Sequence, residues 1–271
     1  MNYRHGYHAG NFADVVKHVA LVAILLHLRK KDTPFAVIDS HAGRGLYDLS
    51  DAAAAATGEA RNGIGRLSGL AQPLPEALDT YLKLVAETGA DKYPGSPLLA
   101  AKLLRPQDRL VAVEKHPEEA AALTAILKPW RKAMVEQADG YARLAKLLPP
   151  PERRGLILID PPFEAADEFE TLAQAVRDAF RRFATGIFLI WYPVKSQSAA
   201  DAFCAEALAG GVTKALCVEI AVEAETGRLG LAGLLVVNPP YGLDGAMEES
   251  LALLAPLLKA RTHIDWLAGE A

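Results

Sequence analysis

The stretch LILIDPPFE (Leu156–Glu164) joins four apolar residues to an aspartate, two prolines and an aromatic ring. A short, unbroken apolar run of this kind is typical of a strand that is buried on both faces, as in a parallel sheet covered by helices. A second stretch, LLVVNPPYG (Leu234–Gly242), has the same design but carries asparagine in place of aspartate. We call the DPPF and NPPY segments of these two stretches the aspartate box and the asparagine box, the second box along the chain. Because the fold sets where each box lies, predicting the fold also indicates which box is the functional site.

Similar apolar runs recur along the chain and alternate with helical stretches such as Pro117–Leu127 and Ala166–Phe183. They predict strands near Phe35–Asp39, Arg109–Glu114, Ala133–Gln137, Gly155–Asp160 and Gly186–Trp191. The alternation favours a parallel sheet with helices on both faces. Two further runs, Lys214–Val222 and Leu229–Val237, are too close together for a crossover helix and predict an antiparallel hairpin. The expected fold is α/β and Rossmann-like, with a mixed seven-stranded sheet whose last strand is antiparallel.

One connection, from Gly45 to Arg109, is far longer than α/β units need. Its pattern is helical at Asp51–Ala56, Pro75–Thr88 and Pro97–Leu104. We therefore predict an inserted helical subdomain at residues 46–93 within a main domain formed by residues 1–45 and 94–271.

Composition limits the class of protein. The 271 residues carry a formal net charge of −4, so any contact with phosphate must come from a local patch. The two cysteines, Cys204 and Cys217, form no CxxC pair, which favours a reducing cytosol and no structural zinc. The apolar stretch Val19–Leu28 is too short to span a membrane. We expect a soluble, cytoplasmic protein without a metal, and the candidate phosphate contacts are Arg4, Lys17, Arg44, Arg61, Arg66, Arg153, Arg154, Arg181, Arg182 and Lys195.

A ligand site is expected where the first strands end. The glycines of DSHAGRG (Asp39–Gly45) permit a sharp turn close to a ligand, although they form only GxG and not GxGxxG. Glu114, at the end of the second strand, is placed to accept hydrogen bonds from ribose hydroxyls. Ser96 is a good N-cap for a helix whose N-terminus suits a carboxylate. Asp139-Gly140 ends the third strand and is either a cofactor contact or a simple turn.

The aspartate box suits methyl transfer to an exocyclic amino group. Asp160 and the Pro161 carbonyl can accept from the two N–H groups of the amine and orient its lone pair, and proline fixes the local backbone. Phe163 can stack on a base that is flipped out or unpaired. Methylation at cytosine C5 would need a cysteine nucleophile, and neither cysteine follows a proline in such a loop.

Strand direction separates the two boxes. Ligands of open α/β sheets bind at the carboxyl ends of the parallel strands, where Asp160 lies. Asn238 ends an antiparallel strand and should lie at the opposite edge, roughly 17–20 Å away for a strand of typical length. We therefore take Asp160 as the catalytic residue and the Pro-Pro after Asn238 as a strand stop.

The chain resembles the bacterial 23S ribosomal RNA adenine-N6 methyltransferases of the J type, over nearly its whole length. The most specific similarity is the N-terminal YRHGYHAGNFADVVKH (Tyr3–His18). It continues through DSHAGRG, TGEARNGIGRL (Thr57–Leu67), YPGSPLLA, VEKHP, ADGY, RRGLILIDPPFE and RFATG…WYP. The resemblance implies a class I methyltransferase domain with an inserted helical subdomain.

The resemblance also implies a cofactor, a substrate and a set of site residues. The cofactor would be S-adenosylmethionine and the substrate a single adenine of 23S ribosomal RNA, and we expect the enzyme to act as a monomer. Asp160 would be catalytic and Tyr3 would meet the RNA, whereas the cofactor would be surrounded by His18, His41, Ser96, Glu114, Asp139, Gly140 and Asp160. Phe163 departs from the family, which more often has tyrosine there.

Other functions remain to be weighed against this one. DNA adenine or protein glutamine methylation uses related Pro-Pro boxes, although the glutamine enzymes favour Asn over Asp. A nicotinamide-dependent oxidoreductase is opposed by the missing GxGxxG and by the box itself. A binding module without catalysis does not need an intact DPPF.

We predict that the N-terminal segment around Tyr3 is a lid that folds over the active-site mouth when RNA arrives. The segment is rich in aromatic rings, histidine and arginine, which can stack on a base and contact phosphate. Tyr3→Ala should lower the rate of rRNA methylation by roughly tenfold or more, with thermal stability and cofactor affinity barely changed. Normal methylation by this variant would mean that the segment is only a tail.

Overall fold

The structure is a computed structural model that describes residues 8–51, 58–223 and 229–269. Tyr3 and the segment around it lie outside these ranges, as does nearly all of the helix expected at Asp51–Ala56. The strands of the described chain are β1 (Ala36–Asp39), β2 (Leu46–Asp48), β3 (Lys92–Pro94), β4 (Arg109–Glu114), β5 (Ala133–Gln137), β6 (Gly155–Ile159), β7 (Ile187–Pro193), β8 (Ala215–Val222), β9 (Leu231–Val237) and β10 (Ala260–Ala268).

Helices connect these strands and cover the sheet. They are α1 (Phe12–Arg29), α2 (Glu59–Asn62), α3 (Glu76–Ala86), α4 (Ser96–Leu103), α5 (Pro117–Leu127), α6 (Gly140–Leu147), α7 (Glu168–Arg182), α8 (Gln197–Leu208) and α9 (Leu243–Leu258), with a short 3-10 helix at Ile64–Leu67. Within the described part of the chain, no helix is both long enough and apolar enough to cross a membrane.

The main sheet has the order β10-β8-β9-β7-β6-β1-β4-β5 in the described chain. The central strand β1 pairs in parallel with β4 on one side and β6 on the other. After β1, the chain forms β4 and β5 on one side of β1, and it then forms β6 and β7 on the other side. The strand order therefore reverses between β1 and β6, which is where an open α/β sheet forms a ligand crevice.

The expected hairpin is confirmed, but the sheet has one strand more than predicted. β8 and β9 pair antiparallel, and β9 also pairs antiparallel with β7. The seven-stranded prediction was wrong because β10 pairs antiparallel with β8 at the sheet edge. Its four polar residues, Arg261, Thr262, His263 and Asp265, are exposed and interrupt the continuous apolar run by which the others were found.

Side chains of β6 alternate between two apolar layers, as strand geometry requires. Leu156 and Leu158 belong to a layer that includes α1, α3, α4 and α9, whereas Ile157 and Ile159 belong to a layer with α7 and α8. Helix α1 is unusually enclosed, since 14 of its 18 residues are buried. It packs against α3, α4 and α9 as well as the sheet, so its polar residues must find partners inside the protein.

The long connection forms a separate pair of strands. β2 and β3 pair antiparallel, with Tyr47 opposite Tyr93, and the predicted limits of the insertion at 46 and 93 fall within this pair. Between them lie α2, the 3-10 helix and α3, and the last of these matches the helix predicted at Pro75–Thr88. We propose residues 46–93 as a subdomain on this basis, although it packs directly on α1.

Asn238 lies at the edge of the sheet opposite Asp160. Its side-chain Nδ2 donates to the carbonyls of Ala184 and Gly186, which precede β7, at 2.8 and 2.7 Å. Its backbone has a positive φ of 52°, a conformation that asparagine tolerates better than most residues. The second box is therefore used as a strand stop in this fold.

We predict that Asn238→Ala destabilises the protein by about 2 kcal/mol, because two carbonyls lose a donor, that of Gly186 being partly buried, and alanine is strained at positive φ. Asn238→Gly removes the same hydrogen bonds without the strain and should be more stable than the alanine variant by about 1 kcal/mol. Urea unfolding of the two variants and the wild type measures both differences. Equal stability of wild type and Asn238→Ala would contradict this role.

Candidate functional site

A cavity of about 610 Å³ opens at the carboxyl ends of β1, β4 and β6. Its size lies in the range of roughly 300–1,000 Å³ that is usual for small-molecule sites. The residues expected around a cofactor, whether from the sequence pattern or only from the resemblance, all line it: His18, His41, Ser96, Glu114, Asp139, Gly140 and Asp160. The fold thus brings together side chains from six separate parts of the chain.

Glu114 is held in place by the glycine loop. Its two carboxylate oxygens accept from the backbone N–H groups of Gly43 and His116, at 2.8 and 2.7 Å. Gly43 has a φ of +62°, and a Cβ there would lie 2.2 Å from the hydroxyl of Tyr47. Glycine is therefore required for the loop to approach Glu114, and the carboxylate presents fixed acceptors to the cavity.

Ser96 does not cap its helix, contrary to the sequence-based expectation. Gly95 is the N-cap of α4, and Ser96 lies in the first turn. Its hydroxyl donates instead to Oδ2 of Asp39 at 2.7 Å. The sequence does not single out Asp39, because the pattern of a buried strand does not show whether the carboxylate at its end is also buried.

Asp39 is 1% exposed, and burial raises its pKa to about 7. The hydrogen bond from Ser96 opposes this shift, whereas the negative charge of Asp160 adds to it. Near neutral pH this carboxyl is therefore divided between its ionised and protonated forms.

His41 is a neutral acceptor in the cavity, because burial lowers its pKa to about 4. Its Nδ1 lies 2.8 Å from the hydroxyl of Ser40, which itself donates to the carbonyl of Leu158 at 3.1 Å. With the single hydroxyl hydrogen assigned to the Leu158 carbonyl, Nδ1 is the donor to Ser40. Nε2 is then unprotonated and can accept a hydrogen bond. Tyr141 packs edge-on against the ring at 4.9 Å.

Asp139 and Gly140 begin helix α6. The Asp139 carboxylate accepts from the N–H of Ala142 at 3.1 Å and from Lys115 at 3.0 Å. Burial opposes ionisation, but these two hydrogen bonds lower the pKa of Asp139. A Cβ at Gly140 would lie 2.2 Å from the carbonyl oxygen of Ser40, so only glycine fits there. The pair is thus both a helix cap and part of the cavity wall.

His18 is tied to the insertion. Its Nδ1 lies 2.8 Å from the hydroxyl of Tyr93 on β3, and that hydroxyl lies 2.9 Å from the hydroxyl of Tyr81 on α3. All three rings are buried. The residue would have passed as an ordinary helix position in the sequence, and only the resemblance identified it.

Asp160 faces Lys17, which the sequence analysis had considered only as a phosphate contact. The Lys17 ammonium lies 2.5 Å from Oδ2 of Asp160 and 2.7 Å from Oδ1 of Asp14. Burial alone would lower the pKa of Lys17, but the two carboxylates outweigh it and raise the pKa well above its ordinary value. Lys17 is 3% exposed, so the residue is a buried cation held between two carboxylates.

Phe163 lies next to the cavity without lining it. Its ring packs edge-on against Phe169 at 4.9 Å and Trp191 at 5.7 Å, while the adjacent Pro162 and Glu164 line the cavity. Its backbone has a φ of +51°, which is uncommon for an aromatic residue and is found mostly where structure imposes it. Stacking of Phe163 on a base stays a prediction.

In the described ranges, no group of three or more His, Cys, Asp or Glu side chains is placed to hold a metal ion.

Comparison with known proteins gives consistent matches over the whole chain. Residues 32–268 match a family model described as "Ribosomal RNA large subunit methyltransferase D, RlmJ". A protein of Escherichia coli (strain K12) and one of Haemophilus influenzae are each 38% identical, with both chains fully covered. Both carry the name ribosomal RNA large subunit methyltransferase J. A crystal structure of a Legionella pneumophila protein is similar with a TM-score of 0.88 at 32% identity, covering 97% of this chain and 99% of that one.

Asp39 gives the protein a testable pH dependence. Because its pKa is raised in the folded state, the folded protein binds this proton more tightly than the unfolded chain. This stabilisation is complete below the ordinary pKa of 3.8 and is lost as the pH rises through about 7. Asp39→Asn keeps an oxygen for Ser96 but cannot ionise. We expect its stability relative to wild type to increase with pH, by up to about 1.4 kcal/mol per pH unit.

Urea unfolding of wild type and Asp39→Asn, without added ligand, at several pH values between about 5 and 8 measures this difference. A stability difference that does not change with pH would show that Asp39 ionises as freely in the folded protein as in the unfolded chain.

Proposed function

The chain belongs to the family of ribosomal RNA large subunit methyltransferases J, and we propose that it transfers a methyl group from S-adenosylmethionine to N6 of a single adenine in 23S ribosomal RNA. The observation that carries the proposal is the placement of Asp160. It follows β6 at the switch point of the sheet, in the cavity that the expected cofactor residues line.

The cavity residues suit S-adenosylmethionine. Glu114 offers oriented acceptors to ribose hydroxyls, and the glycines at 43 and 140 let the cavity wall pack closely against Tyr47 and Ser40. The N-terminus of α4, beginning at Ser96, suits a carboxylate. Asp139, Asp160, Glu164 and Glu168 also line the cavity, and their charge favours a cationic ligand. When bound, the cofactor supplies an activated methyl group on a sulfonium.

Asp160 and Pro161 are proposed to activate the adenine amine. The amine is a poor nucleophile, because its lone pair is delocalised into the ring. Lys17 occupies Oδ2 of Asp160, so Oδ1 is the oxygen proposed to accept one N–H of the amine, while the Pro161 carbonyl accepts the other. These acceptors direct the lone pair toward the methyl group. Asp160 then takes the proton that the methylated amine loses.

Tyr3 and Phe163 are proposed contacts to the RNA. Phe163 is half-buried beside the cavity and follows two prolines, so a modest turn of its ring would present a face to a flipped base. His18 and His41 are proposed to surround the cofactor, His41 as the neutral acceptor described above. We also propose that the enzyme acts as a monomer in the cytoplasm.

Family membership separates this function from its alternatives. DNA adenine and protein glutamine methylation would use the same box, but the full-length relatives are named as ribosomal RNA methyltransferases. A substrate comparison decides among them. Labelled S-adenosylmethionine is offered with 23S rRNA, double-stranded DNA or a protein extract, and the label should enter rRNA.

We predict that Asp160→Ala abolishes methyl transfer to rRNA while cofactor affinity stays within about tenfold, because a positioned acceptor stabilises the transition state more than the ground state. Rates come from labelled methyl incorporation and affinities from calorimetry. Asn238→Ala is the matched control in the second box and should keep nearly the wild-type rate once folded. If Asp160→Ala keeps more than roughly a tenth of the wild-type methylation rate, Asp160 is not the catalytic residue. If the methylation rate of folded Asn238→Ala collapses, the second box is the active site instead of the first.

A further inference from the structure

The described part of the stretch TGEARNGIGRL, residues 58–67, has no place in the chemistry above. It contains α2 and the 3-10 helix, and both lie at the turn of residues 8–11 that leads into α1. We refer to residues 8–11 as the entry turn. The contacts between the two segments are polar and close, and they continue inward to Asp160.

Glu59 holds the entry turn through two side chains. Its carboxylate lies 3.0 Å from Nδ1 of His8 and accepts from Nδ2 of Asn11 at 3.0 Å. Because a carboxylate can only accept, Nδ1 of His8 is the donor. The hydrogen bond with Glu59 raises the pKa of His8, although burial opposes the shift. The Glu59 side chain is 22% exposed, so solvent screens these contacts only in part.

The backbones of the two segments also meet. The N–H of Ile64 donates to the carbonyl of Gly10 at 2.9 Å. A Cβ at Gly63 would lie 2.0 Å from that same carbonyl oxygen, so the segments approach as closely as a glycine allows. The entry turn is therefore fixed from outside by Glu59, Gly63 and Ile64.

From the inside, the same turn fixes Asp14. The Asn11 side-chain oxygen accepts from the N–H of Asp14 at 2.9 Å, and the N–H of Gly10 donates to Oδ2 of Asp14 at 2.9 Å. The other oxygen of Asp14 accepts from Lys17, which donates to Asp160. A continuous series of hydrogen bonds thus runs from Glu59 through Asn11, Asp14 and Lys17 to Asp160.

We propose that Glu59 is a positioning residue for methyl transfer, acting on Asp160 through Asn11, Asp14 and Lys17. The proposal rests on the proposed function, because Asp160 is the residue that Glu59 serves. Loss of Glu59 frees the Asn11 amide and loosens the entry turn, and a small displacement of Lys17 then moves the catalytic carboxylate. Displacements of about 1 Å in positioned groups are enough to reduce a rate by as much as 10²-fold.

Glu59→Ala in the full-length enzyme tests the idea through a split between kcat and KM. We expect kcat on 23S rRNA to fall about tenfold, with KM for S-adenosylmethionine unchanged within about twofold. Glu59→Gln keeps an oxygen for Asn11 and should recover much of the rate. The matched control is Asp79→Asn, which breaks an exposed ion pair with Lys83 on α3 of the same insertion and should behave as wild type.

A double-variant cycle on kcat distinguishes positioning from general support of the fold. If Glu59 acts through Asn11, Glu59→Ala combined with Asn11→Ala should be no slower than Asn11→Ala alone. Additive losses, or a wild-type kcat in Glu59→Ala, would overturn the proposal. If Glu59→Ala does not fold, Glu59→Asp is measured instead, because aspartate keeps the carboxylate charge but is a shorter side chain. A wild-type enzyme that leaves rRNA unmethylated would instead reject the proposed function.

Discussion

The structure depends on one buried cation. The ammonium of Lys17 lies between Asp14, one turn earlier in the same helix, and Asp160, at the end of a strand 143 residues later. Removing a charge from water costs several kcal/mol, and attraction repays that cost only when the geometry is close and every partner is present. The position of α1 against the central strands is therefore fixed by this contact as well as by apolar packing, because any sliding of the helix would leave charges unpaired.

The insertion, which packs on α1, adds a second constraint on this helix. Two consecutive residues of α1 face the cavity, and the insertion reaches both. It holds His18 through Tyr93 and Tyr81, and it holds the turn before Lys17 through Glu59. Because α1 is enclosed, its buried polar residues need hydrogen-bond partners on the side of the insertion as well as on the side of the sheet. The insertion supplies them, so it supports the part of the cavity wall that α1 forms even though it contributes few cavity residues itself.

The sequence was sufficient for what local patterns encode. Apolar runs located the parallel strands, the spacing of the last two predicted a hairpin, and strand direction assigned Asp160 and Asn238 to opposite edges. It was insufficient where the information is tertiary. Polar residues interrupt β10 because one face of an edge strand is solvated, and Lys17 looks like any helical lysine until its partner from a distant strand is known. Ser96 has the features of a cap, yet a buried carboxylate takes its hydroxyl.

The same separation between Lys17 and Asp160 governs how the protein is made. At roughly 5–20 residues per second, the ribosome completes those 143 residues on the order of ten seconds after Lys17 has been added. During that time α1, with 14 residues destined for burial, lacks β6 and the second carboxylate partner of Lys17, and its contact with α9 must wait still longer. The first helix to be synthesised is thus among the last to complete its packing.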